Sequence, residues 1–126
     1  MNIISKLFGK KQTAEEVRRL SNKQVIKQLK KHGDKLTKGR LVSHWIYFKT
    51  ESDRELFLAK IKNDNFIIVS ENYDDSWGEF SFSLHIERLD KVDSKSVDNY
   101  VIYLWRLANE CNGDYDGWET SIETED

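Results

Sequence analysis

Residues 79–88 alternate without interruption. Phe80, Phe82, Leu84 and Ile86 fall on one side, and Ser81, Ser83, His85 and Glu87 on the other. A period of two sends successive side chains to opposite faces of a strand, so this segment has one covered face and one that looks away from the core. A chain built on such a strand needs a sheet with other elements layered on one side. Residues 41–48 (LVSHWIYF) and 66–69, rich in β-branched and aromatic residues, read as further strands. Residues 115–122 read as a last strand or extended segment, and residues 72–78 (NYDDSWG) as a loop.

The covering layer comes from helices. In residues 94–111, Val97, Tyr100, Val101, Leu104, Ala108 and Cys111 repeat at three- and four-residue spacing, and Asn112-Gly113 ends the pattern. Residues 51–63 carry Leu56, Phe57, Lys60 and Ile61 on one side, and Asp64-Asn65 turns the chain. Residues 13–31 begin with a capping box, Thr13 and Glu16, and stop at Gly33. Their apolar stripe is narrow (Val17, Leu20, Gln24, Val25, Gln28, Leu29), and the cap-type pair Ser21-Asn22 allows a break. Proline is absent, so turns fall to Gly, Asn, Asp and Ser.

From residue 41 the order is β-α-β-β-α-β, the split-βαβ succession. The expected fold is α+β and ferredoxin-like: a four-stranded antiparallel sheet with two helices on one face, plus an extra N-terminal helix. The second sheet face is left open or partly covered by that helix. The expected organisation is a basic N-terminal segment and helix at 1–35, one domain at 36–122 and an acidic tail at 123–126. A chain of 126 residues suits a single core.

The net charge of −2 hides a division. Residues 1–40 hold twelve Lys and Arg against three acids, a net of +9; the remainder holds eight against nineteen, a net of −11. Either the lysines simply solvate one helix, or the arm meets nucleic acid, an anionic surface or an acidic protein face. Residues 2–8 (Ile3, Ile4, Leu7 and Phe8 beside Lys6) have the pattern of a short amphipathic segment. No apolar run approaches the ~20 residues of a spanning helix. Lys6 interrupts the only signal-like stretch, so a cytoplasmic location is expected. The single Cys111 forms no internal disulfide and reads as a small core residue.

No motif indicates a catalytic site. His32, His44 and His85 lack partners at ligand spacing, so no metal or other cofactor is expected. If His44 and His85 met across strands they would form a weak metal or acid–base pair. Asp114-x-Asp116 lacks the remaining ligands of a calcium loop, and phosphate-binding glycine loops are absent. Trp45 and Tyr47 share one face of their strand, as base-stacking residues do in RNA-binding sheets, but the basic-Gly-aromatic run of such sheets is missing from residues 79–88.

After the last helix, residues 114–120 read DYDGWET. Tyr115, Asp116, Gly117, Trp118 and Thr120 resemble the YDGWGT-type signature of the regulator of ribonuclease activity B family, with Glu119 in place of the usual glycine. The similarity extends in pattern over roughly residues 25–122. It implies a ferredoxin-like, non-catalytic inhibitor that binds ribonuclease E. The motif's expected role is structural: Asp-Gly makes a tight turn, and Tyr115 and Trp118 anchor it.

The leading expectation is a regulator that binds a protein partner, an endoribonuclease of the ribonuclease E type, through its acidic body. Expected contacts are Asp74, Asp75, Trp77, Glu79, Asp114, Asp116 and Glu119, with Trp77 as aromatic anchor. Alternatives are an immunity or antitoxin protein against a nuclease toxin, and a nucleic-acid-binding module using the basic N-terminal helix.

Overall fold

The computed structural model describes residues 12–124. The amphipathic segment expected at residues 2–8 and the last two residues of the acidic tail lie outside the described residues. Helix α1 (Ala14–Lys31) precedes β1 (Arg40–Phe48), α2 (Glu51–Lys60), β2 (Ile67–Tyr73), β3 (Phe82–Asp90), α3 (Ser94–Glu110) and β4 (Gly113–Thr120). A 3₁₀ turn, Asp75–Trp77, follows β2. The fold is α+β, with an open four-stranded antiparallel sheet in the order β2-β3-β1-β4 and three helices among the described residues.

Local sequence chemistry sets the helix ends. Thr13 Oγ1 accepts from the Glu16 amide at 3.1 Å and donates to Glu16 Oε1 at 3.1 Å, so the expected capping pair forms. Gly33, at φ +91°, closes α1 in a conformation that only glycine adopts freely. Helix α1 does not break at Ser21-Asn22. The Asn22 amide is drawn into tertiary contacts and is unavailable as a cap. The buried positions of α1 are Asn22, Ile26 and Leu29, while Val17 and Leu20 are 49% and 41% exposed. The docked face is therefore rotated from the apolar stripe expected from sequence.

In β1, Val42, His44, Ile46 and Phe48 are buried, and Ser43, Trp45 and Tyr47 are half-buried on the other face. The buried row meets Phe57 of α2, the Val97–Tyr100–Val101–Leu104 stripe of α3 and Tyr115 of β4 in one core, which Ile26 of α1 also joins. Helix α1 packs on α3. Gly113 lets β4 start against this core: a Cβ there would lie 2.7 Å from Cε1 of the buried Phe48.

A buried ion pair closes the end of the sheet. Arg40 Nη1 pairs with Asp34 Oδ2, and Arg40 Nη2 donates to Asp34 Oδ1 at 3.0 Å. Arg40 also donates to the carbonyls of Lys38 and Ser121, and Asp34 accepts from the amides of Leu36 and Glu123. The Arg40 guanidinium and these amides hold the Asp34 carboxyl down at about 2. A carboxyl depressed on folding adds stability above its unfolded value, and that stability is lost as pH falls through the folded one. Asp34→Asn should therefore cost about 2–4 kcal/mol at neutral pH, since it strands a buried guanidinium. It should also flatten the loss of stability as pH falls from about 4 towards about 2. Denaturant midpoints of both proteins across that range check this.

Candidate partner-binding surface

The two faces of β4 have different tasks. On the helix side, Tyr115 is buried and its hydroxyl lies 2.6 Å from Nδ1 of the buried His44. Trp118 Nε1 donates to Asn22 Oδ1 at 3.0 Å, and Asn22 Nδ2 donates to Asp98 Oδ1 at 3.0 Å. Arg18 donates to the Tyr115 carbonyl at 3.1 Å, and its guanidinium lies 5.2 Å from the Tyr115 ring centroid. Arg19 bridges Glu15 and Asp98, and Arg106 pairs with Glu15. Tyr115 and Trp118 thus contact α1 and β1, the former through its carbonyl and hydroxyl. Thr120 Oγ1 donates to the Leu41 carbonyl at 2.8 Å, joining β4 to β1.

His44 is held neutral. Burial, followed by the charge of Arg88 and then His85, lowers it to about 3. Burial pushes the Tyr115 hydroxyl well above its ordinary range. Tyr115 therefore remains a phenol, hydrogen-bonded to Nδ1 of His44. The His44 ring also makes T-shaped contacts with Phe66 and Tyr100.

The opposite sheet face is open. Trp45 stacks on its cross-strand partner His85, centroids 4.3 Å apart and planes 17° apart. Tyr47 meets Trp77 edge to face at 5.9 Å. Register places Ser43 opposite both Glu87 and Glu119, Trp45 opposite Gly117, and Tyr47 opposite Asp114. Among the described residues, no Lys or Arg occupies a register position of this face.

The residues expected to contact a partner fall around this surface unevenly. Asp114 and Glu119 are exposed on the open face of β4, and Trp77, 46% exposed, stands beside Tyr47. Asp116 is exposed at the irregularity of β4. Asp74 caps the 3₁₀ turn, accepting from the amide and hydroxyl of Ser76, which lower its carboxyl; Asp75 is exposed beside it. Glu79 pairs with Lys49 at 2.8 Å. The sequence list of contacts omitted Trp45, His85 and Glu87. Their signal was the alternation of β1 and β3, which put Trp45 with Tyr47 and His85 with Glu87 on the uncovered faces.

His44 and His85 form no pair. His44 faces the helices among Tyr115, Phe66 and Tyr100, whereas His85 stacks on Trp45 across the open face. Cys111 is buried, and desolvation raises its thiol. Among the described residues there is no group of three or more His, Cys, Asp or Glu that could hold a metal, and no helix long and apolar enough to cross a membrane.

The fold and this surface define an α+β domain with an acidic, aromatic sheet face. The chain belongs to the regulator of ribonuclease activity B family, whose model matches residues 19–120. A comparison with curated proteins finds no match. Among solved structures, the crystal structure of PH0061 is similar over 97% of this chain and 78% of that one, at 13% identity and a TM-score of 0.40.

The His44–Tyr115 contact makes a measurable prediction. Between about pH 7 and about pH 5 the unfolded chain takes up a proton at His44 that the folded chain refuses, so stability should fall with pH. His44→Leu should lower stability by about 1–3 kcal/mol by leaving the buried Tyr115 hydroxyl without its partner. The same variant should show a shallower slope in that window. Urea unfolding at both pH values reads both effects.

Proposed function

We propose that this chain is a non-catalytic regulator that binds an endoribonuclease of the ribonuclease E type in the cytoplasm and inhibits it. Membership of the regulator of ribonuclease activity B family over residues 19–120 carries the reading. The ferredoxin-like assignment belongs to the same proposal and draws on the β-α-β-β-α-β succession and the strand order β2-β3-β1-β4. The YDGW motif is proposed to be structural, supported by the bonds that Tyr115 and Trp118 make to His44, Arg18 and Asn22.

The acidic body is the proposed contact surface. A ribonuclease must present cations to its RNA, and an acidic surface complementary to those cations speeds encounter and competes with the RNA. Asp75, Asp114, Asp116 and Glu119 are exposed, and Trp77 offers an aromatic anchor beside them. Asp74 and Glu79 belong to the same proposed surface, each with a second local role.

The test uses the purified full chain and a purified ribonuclease E-type enzyme, with binding and RNA cleavage measured at low and moderate salt. Binding should weaken with salt, and Asp75→Lys combined with Asp114→Lys should lower affinity about tenfold or more and flatten the salt dependence. Unchanged affinity would remove the electrostatic contact surface. No binding at either salt would remove this partner.

A further inference from the structure

Along the β1–β4 edge of the open sheet face, the side chain missing at Gly117 leaves a slot beside Trp45. Gly117 lies opposite Trp45 in the β1–β4 register, and among the described residues a Cβ built on Gly117 would meet no atom within 4 Å beyond its chain neighbours. Since His85 stacks on Trp45 from the β3 side, the indole has no cross-strand side chain on its β4 side. Carboxylates mark both ends of this gap. Glu119 lies opposite Ser43, whose hydroxyl is 3.4 Å from Glu87, and Asp114 lies opposite Tyr47.

These features fit one side chain. A guanidinium is flat, stacks on an indole and donates in two directions within its plane; an ammonium does neither. We propose that the slot over Gly117 receives an arginine of an extended basic segment in the partner protein, stacked on Trp45 and donating to Glu119. This deepens the regulator reading by naming the surface and the recognised chemistry, and it rests on that reading for the partner's identity. The acidic face, with no cation at its register positions among the described residues, is complementary to a segment carrying several such charges.

The experiment titrates the purified full chain into two fluorescein-labelled peptides, one alternating arginine with serine and one alternating lysine with serine. Fluorescence anisotropy reads the affinity. The arginine peptide should bind about fivefold or more tighter than its lysine counterpart, because only guanidinium stacks and bonds in the same plane. Glu119→Gln, at an exposed position, with Glu87→Gln, at a half-buried one, should weaken the arginine peptide several-fold, and Trp45→Leu should abolish the arginine-over-lysine preference. If Trp45→Leu unfolds by circular dichroism, the glutamine variants alone decide the test. Equal affinity for the two peptides, no binding, or indifference to the glutamine substitutions would overturn the slot.

Competition separates this inference from the regulator reading. If the ribonuclease binds while neither the arginine peptide nor the glutamine variants disturb it, the slot falls and the regulator stands. If the arginine peptide binds with the expected preference and the ribonuclease does not bind, the slot stands and the partner assignment falls.

Discussion

The Arg40–Asp34 pair is the constraint on which the rest of the arrangement turns. It lies where three pieces of chain meet: the exit from α1, the entry to β1 and the segment after β4. A guanidinium has five donors in a fixed fork, and here they reach the Asp34 carboxylate and the carbonyls of Lys38 and Ser121. Satisfying a buried charge requires those three strands of chain to arrive together. The pair therefore selects one arrangement of helix, sheet and tail, whatever its net contribution to stability. Its bonds hold α1 in place at one end, as Arg18 and Asn22 do further along.

That docking also explains how polar chemistry is shared between the two sheet faces. On the helix side, Arg18, Tyr115 and His44 form one bonded group and Trp118, Asn22 and Asp98 another, each with internal partners. The same strands send Trp45, His85, Glu87 and Glu119 the other way, where no helix among the described residues pairs with them. Period-two alternation makes the division unavoidable: a strand that builds a core with every second residue must present the rest to whatever lies outside. A binding surface here is the other half of the core-forming pattern.

Much of the fold was legible because its elements carry strong periodic signals. The α3 stripe, the β3 alternation and the Thr13 cap each show one dominant local interaction. The expectations that shifted were those decided by contacts distant in sequence. Strand β2 runs to Tyr73 because Ser70 and Asn72 pair with His85 and Ser83, although composition alone suggests a loop from residue 72. Helix α2 ends at Lys60, earlier than residue 63, and the turn through Asn65 at φ +67° follows it. The buried face of α1 was misplaced because its central residue, Asn22, is polar and is recruited by Asp98 and Trp118 from across the domain. For the surface, acidic loop residues were visible in the sequence, but the Trp45–Gly117–Glu119 neighbourhood depends on β1–β4 register, with a shift between Trp45 and Ile46.

Register also changes the meaning of the charge division. The +9 of the first forty residues looks like a free basic arm, yet Arg18, Arg19 and Arg40 are spent on internal partners and Lys38 reaches the Thr124 carbonyl. What α1 still presents to solvent includes the exposed lysines Lys23, Lys27, Lys30 and Lys31, on the helix side of the sheet. The sheet lies between those lysines and the carboxylates of the open face. Charges on opposite sides of a domain neutralise each other poorly once their separation exceeds the screening length of about 8–10 Å. Among the described residues the two sides of the sheet thus differ in sign, and a basic partner approaching the open face meets its carboxylates without these lysines in its path.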